Sequence, residues 1–235
     1  MSEDPSPEPA LRLATYNIHG AVGPDGRRDV GRIAGVLEEL DANVVALQEV
    51  DSRHGEFDLL DELAARTGLT PIAGPTLIHH RGDYGNAILT REPILGVRLL
   101  DLSVEGREPR GAIDADLRLP GGPLRVLATH LGLHPAERRY QVQRLLAALK
   151  DAERPATVLM GDINEWFLWG QPSRWLHAYF EQTATPPSFP ARFPLLALDR
   201  IWARPKHLLR EVRAHRSRRA RTASDHLPVT ARLCP

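Results

Sequence analysis

The sequence predicts an α/β protein in which two β-sheets pack against each other and helices cover them from outside. Strand and helix signals alternate along the chain, and no long linker separates them. Predicted strands outnumber predicted helices, and several strands are joined by short loops. A chain of 235 residues can bury a sizeable core, and no internal repeat divides it. We therefore expect a single domain over residues 11–235.

The first half of the chain contains three predicted strands and two predicted helices. Strands are indicated by apolar alternation or short apolar runs, and helices by apolar residues at three- and four-residue spacing. Gly68 and Pro93 are expected to end the second helix and the third strand. In chain order the elements are strand Leu11–Tyr16, helix Val30–Leu40, strand 43–50 (NVVALQEV), helix Phe57–Arg66 and strand 85–94 (GNAILTREPI).

The second half contains five predicted strands and one predicted helix. The helix carries Tyr140, Leu145, Ala148 and Leu149 on one face. In chain order the elements are strand 111–119, strand Leu124–Thr129, helix Glu137–Leu149, strand Thr157–Met160, strand Ala197–Ala203 and strand Pro228–Leu233.

Composition excludes several classes of protein. Thirty basic and thirty acidic residues give zero formal charge, which disfavours a chain whose main task is coating nucleic acid. The only cysteine, Cys234, cannot form an internal disulfide. Residues 1–10 are acidic and proline-rich, so we expect a short disordered tail, not a signal peptide. No apolar stretch reaches the length of a membrane span, and a cytoplasmic location is the default expectation.

The octapeptide LMGDINEW, residues 159–166, joins a buried strand to polar side chains. An apolar run ends at Gly161, where the backbone turns tightly or another group comes close. Asp162 and Asn164 are two residues apart, so in a continuing strand they would project on the same side. Such a pair can orient a water and a phosphoryl oxygen. Asp and Asn are also common in turns for purely local reasons, and the octapeptide alone leaves both interpretations open.

Similar polar residues recur where other predicted strands begin or end. Each has a local explanation: Asn17 as a turn residue, His130 as a core histidine, Asp225 as a helix cap. Together they supply carboxylate and amide oxygens for a hard metal ion and imidazoles for acid–base chemistry. They are Asn17, Glu49, His130, Asp162, Asn164, Asp199, Asp225 and His226.

Seven motifs resemble, in order, those of the endonuclease/exonuclease/phosphatase superfamily. They are ATYNIHG, VVALQEV, YGNAILTREPI, ATHLGL, VLMGDIN, LDRIW and SDHLPV, and they extend the resemblance from about Leu11 to Leu233. The segment FPARFPLLALDRIWARP further resembles a small bacterial branch of uncharacterised metal-dependent hydrolases. The resemblance implies a four-layer α/β sandwich, in which two mixed sheets pack face to face with helices on both outer faces.

The resemblance also implies a role for each matching residue. Asp162 would position the attacking water, Asn164 would hold a phosphoryl oxygen, and Asp199 would orient a histidine. His130 and His226 would flank the scissile phosphate. Weaker matches at Tyr84, Asn86 and Arg110 imply phosphate contact or support of the site. The implied ligands of Mg²⁺ or Mn²⁺ are Asn17, Glu49 (the central one) and Asp225, the last binding the metal directly or supporting a ligand.

These residues predict a metal-dependent phosphohydrolase, and more specifically a phosphodiesterase acting on a phospholipid head group or a small phosphodiester. A DNA or RNA nuclease is the alternative, and a non-catalytic binding protein on the same fold is a third. Residues 166–180 hold six of the thirteen aromatic residues and either pack on the sandwich or face substrate or membrane. The arginine-rich residues 213–221 form a mobile solvated loop or gather an anionic substrate. We expect a monomer without an obligate protein partner.

Overall fold

The structure, a computed structural model, describes residues 10–53, 58–80, 82–150, 156–167 and 169–234. The predicted tail therefore lies outside the described residues, apart from Ala10. In chain order the strands are β1 (Leu11–Asn17), β2 (Val44–Asp51), β3 (Thr70–Leu77), β4 (Tyr84–Thr90), β5 (Ile94–Asp101), β6 (Gly111–Leu119), β7 (Gly122–His130), β8 (Ala156–Asp162), β9 (Asp199–Arg204), β10 (Leu209–Ala214) and β11 (Val229–Leu233). The helices are α1 (Val30–Leu40), α2 (Leu59–Thr67), α3 (Pro135–Lys150), α4 (Gln171–Phe180) and α5 (Ala220–Ala223).

The strands form two mixed sheets. The first has the order β10-β11-β1-β2-β4-β3, and the second has the order β5-β6-β7-β8-β9. Each sheet contains one parallel pair, β1 with β2 and β7 with β8, and its other neighbours are antiparallel. The carboxyl ends of both parallel pairs lie at one edge of the molecule, together with the amino ends of β9 and β11. We call this the polar edge.

Three apolar cores separate four layers. On β1, Tyr16 faces α1 and α2, whereas Leu13 faces the second sheet. On β8, Met160 faces the first sheet, whereas Leu159 faces α3 and α4. Both faces of these central strands are buried, which explains why their sequences are nearly continuous apolar runs. The predicted sandwich of two mixed sheets with helices on both outer faces is confirmed.

Local sequence explains where the first two helices begin and end. Asp29 caps α1 by accepting a hydrogen bond from the Arg32 N–H (3.2 Å). Asp58 caps α2 in the same way, and Gly68 ends that helix in the left-handed conformation (φ 68°), as expected. The predicted start of this helix at Phe57 lies outside the described residues.

The structure differs from the sequence predictions in four strands and one loop, and it contains the helices α4 and α5, which are not among the predicted elements. Strands β3, β5 and β10 were not predicted. The predicted strand at Ala197 begins instead at Asp199. Residues 213–221 are not a loop throughout, because they include the end of β10 and the start of α5. No helix among the described residues is long and apolar enough to cross a membrane.

Candidate active site

Asp162 is the centre of a polar cluster at the polar edge. Its Oδ2 accepts a hydrogen bond from Asn17 Nδ2 (3.0 Å), which links the last residues of β8 and β1 across the two sheets. Its Oδ1 accepts a hydrogen bond from the backbone N–H of Asn164 (3.0 Å). Asn164 has a φ of 52°, so the strand does not continue to it, and of the two interpretations left open by the sequence the turn is the one that the structure shows. A local turn places Asn164, and the same turn holds the Asp162 carboxylate.

Gly161 allows the close approach that aligns Asp162 with His130. Its φ is 155°, and a Cβ at this position would overlap the carbonyl oxygen of Thr129 on β7. The register of the two parallel strands pairs Thr129 with Gly161 and His130 with Asp162. The two side chains therefore lie side by side, with 3.5 Å between His130 Nε2 and Asp162 Oδ2.

His130 is buried beside a cation. Arg110 Nη1 lies 2.8 Å from His130 Nδ1, and Asn164 Nδ2 lies 3.0 Å from Nε2. Because a guanidinium can only donate, Nδ1 accepts this hydrogen bond and the neutral ring carries its proton on Nε2. The contact of Nε2 with Asn164 Nδ2 is then not a hydrogen bond, since both nitrogens are donors and Asn164 Nδ2 donates to the Leu131 backbone oxygen (2.8 Å). Burial is the main cause of a His130 pKa lowered to about 3; the Asp162 carboxylate opposes this shift, and the Arg110 charge adds to it. His130 is neutral at physiological pH, with its N–H directed to the centre of the site.

His226 is buried beside anions. Its Nδ1 donates to Asp199 Oδ2 (2.8 Å), and its Nε2 lies 3.8 Å from Asp162 Oδ2. Burial by itself lowers the pKa of His226, but the Asp199 and Asp162 carboxylates outweigh burial and raise it to about 10. Ser188 Oγ also donates to Asp199 Oδ2 (2.6 Å), and the Phe189 ring lies 4.8 Å from the His226 ring. His226 is therefore an oriented imidazolium.

Glu49 extends the cluster toward solvent. Its Oε1 accepts a second hydrogen bond from Asn17 Nδ2 (2.9 Å), and the residue is half-buried. Burial raises the pKa of Glu49, and the nearby Asp225 and Asp162 carboxylates raise it further. Asp225 is also half-buried, with its Oδ1 3.8 Å from Nδ1 of His19. A group of carboxylates that oppose one another's ionisation is the environment that a divalent cation would stabilise.

The donor set fits a hard divalent cation. Glu49, Asp162, Asp199 and Asp225 bring carboxyl groups to the site, whereas the cations there are Arg110 and His226. Metal-ligating atoms of Asp162, Asp199 and His226 lie within 4.8 Å of one another. Because Asp199 Oδ2 is already bound by Ser188 and His226, we favour the more accessible Glu49 and Asp225 as ligands. Asn17 stays a predicted ligand that would exchange a hydrogen bond for the metal, since its Oδ1 accepts from the His19 N–H (3.1 Å).

The three weaker matches lie around this cluster. Tyr84 is half-buried, and burial together with Glu49 and Glu108 raises the pKa of its hydroxyl. Asn86 is buried, and its amide donates to the backbone oxygen of Gly111 (3.0 Å). Arg110 is buried against His130 and Glu108, so its contact is with a catalytic candidate. A role in binding substrate remains a prediction for all three.

Several residues that support the site residues through hydrogen bonds or ring contacts were not identified from the sequence. Ser188 and Phe189 support the Asp199–His226 pair. Phe189 begins the segment FPARFPLLALDRIWARP, but no role was predicted for it, and no motif includes Ser188. Ser224 Oγ donates to the backbone oxygen of Asn17 (2.8 Å), which joins the SDH segment to the end of β1. Its place beside Asp225 and His226 in that motif was the available signal. His19, for which no role was predicted, lies next to Asp225.

Comparison with known proteins agrees with this architecture. The model of the endonuclease/exonuclease/phosphatase family matches residues 14–226. The uncharacterized protein YbhP of Escherichia coli K12 is 29% identical over 244 residues, which cover 95% of this chain and 96% of that protein. An endonuclease/exonuclease/phosphatase from Beutenbergia cavernae has a TM-score of 0.73 and 27% identity, over 95% of this chain and 72% of that one.

A more distant structure shares the fold. The mannosyl-6-phosphatase Bt3783 of Bacteroides thetaiotaomicron has a TM-score of 0.75 at 20% identity, over 94% of this chain and 98% of that one. The resemblance to a bacterial branch without an assigned activity is confirmed by YbhP.

Proposed function

The chain belongs to the endonuclease/exonuclease/phosphatase family of metal-dependent phosphoesterases and nucleases, and on that premise we propose that it is a phosphodiesterase. The observation that carries the proposal is the environment of one atom, Asp162 Oδ2. Asn17 Nδ2 lies 3.0 Å from it, His130 Nε2 lies 3.5 Å from it and His226 Nε2 lies 3.8 Å from it. A carboxylate between a neutral imidazole, an imidazolium and an amide supplies the groups that hydrolysis of a phosphoester needs.

Asp162 is the residue that orients the attacking water. Both of its oxygens accept hydrogen bonds from rigid strand ends or turns, so the carboxylate is held in one orientation. A water held by this carboxylate is placed for in-line attack, and placement supplies much of the rate acceleration. The proton released by the water moves to Asp162 Oδ2, because the Nε2 atoms of both neighbouring imidazoles are already protonated.

His226 and His130 act on the phosphoryl group in different ways. The His226 imidazolium stabilises negative charge that develops on the phosphoryl oxygens. The neutral His130 and the Asn164 amide offer N–H groups without adding a second positive charge. Asp199 holds the His226 ring and maintains its charge, so Asp199 is a positioning residue.

A Mg²⁺ or Mn²⁺ ion held by Glu49, Asn17 and Asp225 would neutralise the anionic phosphoester and the surplus of carboxyl groups around Asp162. We propose that residues 11–235 form one catalytic domain. We also propose that the protein is located in the cytoplasm.

We propose a phospholipid head group or a small phosphodiester as substrate. A balanced net charge favours these over nucleic acid, because sequence-independent DNA binding usually requires a basic domain. The fold alone does not choose among phosphoesters, since the same architecture serves a mannosyl-6-phosphatase. A nuclease is the competing function.

The proposal is tested on bis-p-nitrophenyl phosphate. EDTA should abolish hydrolysis, and Mg²⁺ or Mn²⁺ should restore it. Asp162→Asn and Glu49→Gln should each lower turnover about 10²–10³-fold, because each removes an electrostatic contact used in the transition state. Excess Mg²⁺ should partly rescue Glu49→Gln alone. Hydrolysis that survives exhaustive chelation, or an Asp162→Asn protein with wild-type turnover and an unchanged melting temperature, would contradict the proposal.

The competing function is tested on four substrates in parallel: supercoiled plasmid, abasic-site duplex, single-stranded RNA and anionic phospholipid vesicles. The Asp162→Asn protein is the blank. Release of head group from vesicles supports the proposed substrate class. Plasmid nicking or abasic-strand cleavage at low enzyme concentration, with intact vesicles, would make the protein a nuclease. Inactivity on every phosphoester with metal present would indicate a binding protein.

A further inference from the structure

Exposed apolar side chains are concentrated at the polar edge. Among the described residues, seven large apolar side chains are more than half exposed, and one of them, Leu99, lies on the edge strand β5. The other six occupy loops that follow β3, β7 and β8 or precede β9. We call these six the apolar rim: Ile78, Leu133, Phe167, Trp169, Phe193 and Leu195.

The apolar rim lies on the same edge as the active site because of strand direction. β7 and β8 end at His130 and Asp162, and their loops carry Leu133 and Trp169. β9 begins at Asp199, opposite Asp162, and the loop before it carries Phe193. Ile78 follows the end of β3. That end pairs with the start of β4, which in turn pairs with the end of β2 near Glu49.

Three of the four loops that bear the apolar rim, those after β7 and β8 and the one before β9, are anchored by hydrogen bonds. Glu165 accepts hydrogen bonds from Arg138 Nε (3.3 Å) and from the Phe167 backbone N–H (3.0 Å). Arg138 also donates to the Leu133 backbone oxygen (2.6 Å), which ties two rim loops together. In the third loop, the Ala191 N–H donates to the Asp225 backbone oxygen (2.6 Å). The exposed tips are therefore held at defined positions.

Exposure of Trp169 (83%) and Leu195 (79%) on anchored loops is costly in water, since neither side chain is buried by its own fold. Tips on separate loops suit a soft, laterally continuous partner, because aromatic and aliphatic tips can enter a lipid surface independently. Arg192 precedes Phe193, and Arg221 Nη1 donates to the Arg192 backbone oxygen (2.8 Å). Two guanidinium groups beside an apolar tip favour anionic lipid head groups.

We infer that the apolar rim docks the protein on an anionic lipid surface and so presents the active site to head groups in that surface. The inference rests on the proposed function and narrows its substrate class to phosphodiesters presented at a membrane or micelle. Docking itself needs no catalysis, so the two claims are separable by experiment.

Binding is measured with the full chain carrying Asp162→Asn, which leaves the lipid intact. The protein is sedimented with vesicles of phosphatidylglycerol and phosphatidylcholine, and separately with phosphatidylcholine alone. We expect binding to the anionic vesicles, and a fall in affinity of about tenfold for each of Trp169→Ser, Phe193→Ser and Leu195→Ser. The matched control is Leu99→Ser, an exposed leucine that lies on the edge strand β5 and not on a rim loop, which should bind like the parent.

The soluble diester bis-p-nitrophenyl phosphate separates the inference from the proposed function. In an otherwise native chain, the three rim variants should hydrolyse it at the native rate. Hydrolysis of the soluble diester without vesicle binding by the parent would overturn the inference alone. Vesicle binding without hydrolysis of any diester would overturn the proposed function alone. Equal losses in Leu99→Ser and the rim variants, or binding unchanged in all of them, would also overturn the inference.

Discussion

The two histidines of the site differ in charge although they share a neighbour. Each has its Nε2 within 4 Å of Asp162 Oδ2, at 3.5 Å for His130 and 3.8 Å for His226. Both are buried, yet the pKa of His130 is lowered to about 3 and that of His226 is raised to about 10. The difference comes from the group at Nδ1, which is the Arg110 guanidinium for one ring and the Asp199 carboxylate for the other.

The comparison shows that the partner behind each ring decides its role. Burial alone disfavours the charged form of both histidines. Asp199 reverses this effect at His226, whereas Arg110 reinforces it at His130. One residue type therefore supplies a fixed cation and a neutral donor at the same carboxylate, and the assignment of roles follows from environments that move two pKa values apart.

Removing the anion behind His226 should have the largest effect on this difference. Asp199→Asn removes the largest of the effects that oppose burial, so the His226 pKa should fall and the ring should carry less positive charge at neutral pH. Turnover should drop about 10²–10³-fold. NMR titration of the imidazole measures the pKa change directly. Asp41→Asn, an exposed change at the end of α1, is the control and should keep native turnover.

The ion pair between His226 and Asp199 predicts that the stability of the protein depends on pH. The folded-state pKa of His226 lies above its ordinary value of 6.5, so the contribution of its ion pair is fully present below pH 6.5. That contribution is lost as the pH rises through about 10. Denaturant unfolding at several pH values should show this loss in the native chain and not in Asp199→Asn. An Asp199→Asn protein in which His226 still titrates near pH 10 would contradict the comparison.

Removing the Arg110 guanidinium that contacts His130 Nδ1 should have an intermediate effect on turnover. Arg110→Met leaves Nδ1 without its donor, so the neutral ring can place its proton on either nitrogen. Turnover should fall about tenfold, the equivalent of one hydrogen bond to a charged group. Ring ¹⁵N shifts report the tautomer and should change from protonated Nε2 to a mixture. Glu108→Gln, which removes the other partner of Arg110, is the control and should preserve the tautomer.

Removing support from Asp199 should have the smallest effect. Ser188→Ala deletes one hydrogen bond to Asp199 Oδ2, which contributes about 1 kcal/mol. The pKa of His226 should change slightly, and turnover should fall by less than about tenfold. Ser173→Ala replaces another buried serine, in α4, and should not alter turnover. A larger loss than in Arg110→Met would show that His226 depends on more than its carboxylate.

The fold was predictable where strands are buried on both faces. β1, β2, β7 and β8 carry near-continuous apolar runs, and all four were predicted. The three missed strands, β3, β5 and β10, all lie at the edges of the sheets. β3 contains Pro71, Gly74 and Pro75, and β5 is exposed along most of its length, so neither shows the apolar signal of a central strand. Edge strands are stabilised by pairing with a neighbour, which a local pattern does not reveal.

The sequence predicts which residues form the site, but it does not predict which neighbours surround each of them. Polar residues at strand ends identified the members of the cluster around Asp162, which the structure brings to one edge. Sequence could not predict that Arg110 contacts His130, because twenty positions separate them and only the pairing of β6 with β7 brings their strand ends together. It could not predict Ser188 and Phe189, which act through a loop contact. The role of a side chain that depends on contacts with residues distant in sequence can be assigned only when the fold is known.

The strand pairing that places His130 beside Asp162 is sensitive to mutation of Gly161, although glycine has no side chain. A Cβ there would overlap the Thr129 carbonyl oxygen, so any other residue must push β8 away from β7. His130 and Asp162 are the next register pair, and a shift of β8 would separate them first. In a saturation library, Gly161 would be as intolerant as a catalytic residue, although it contributes only the space that its missing side chain leaves.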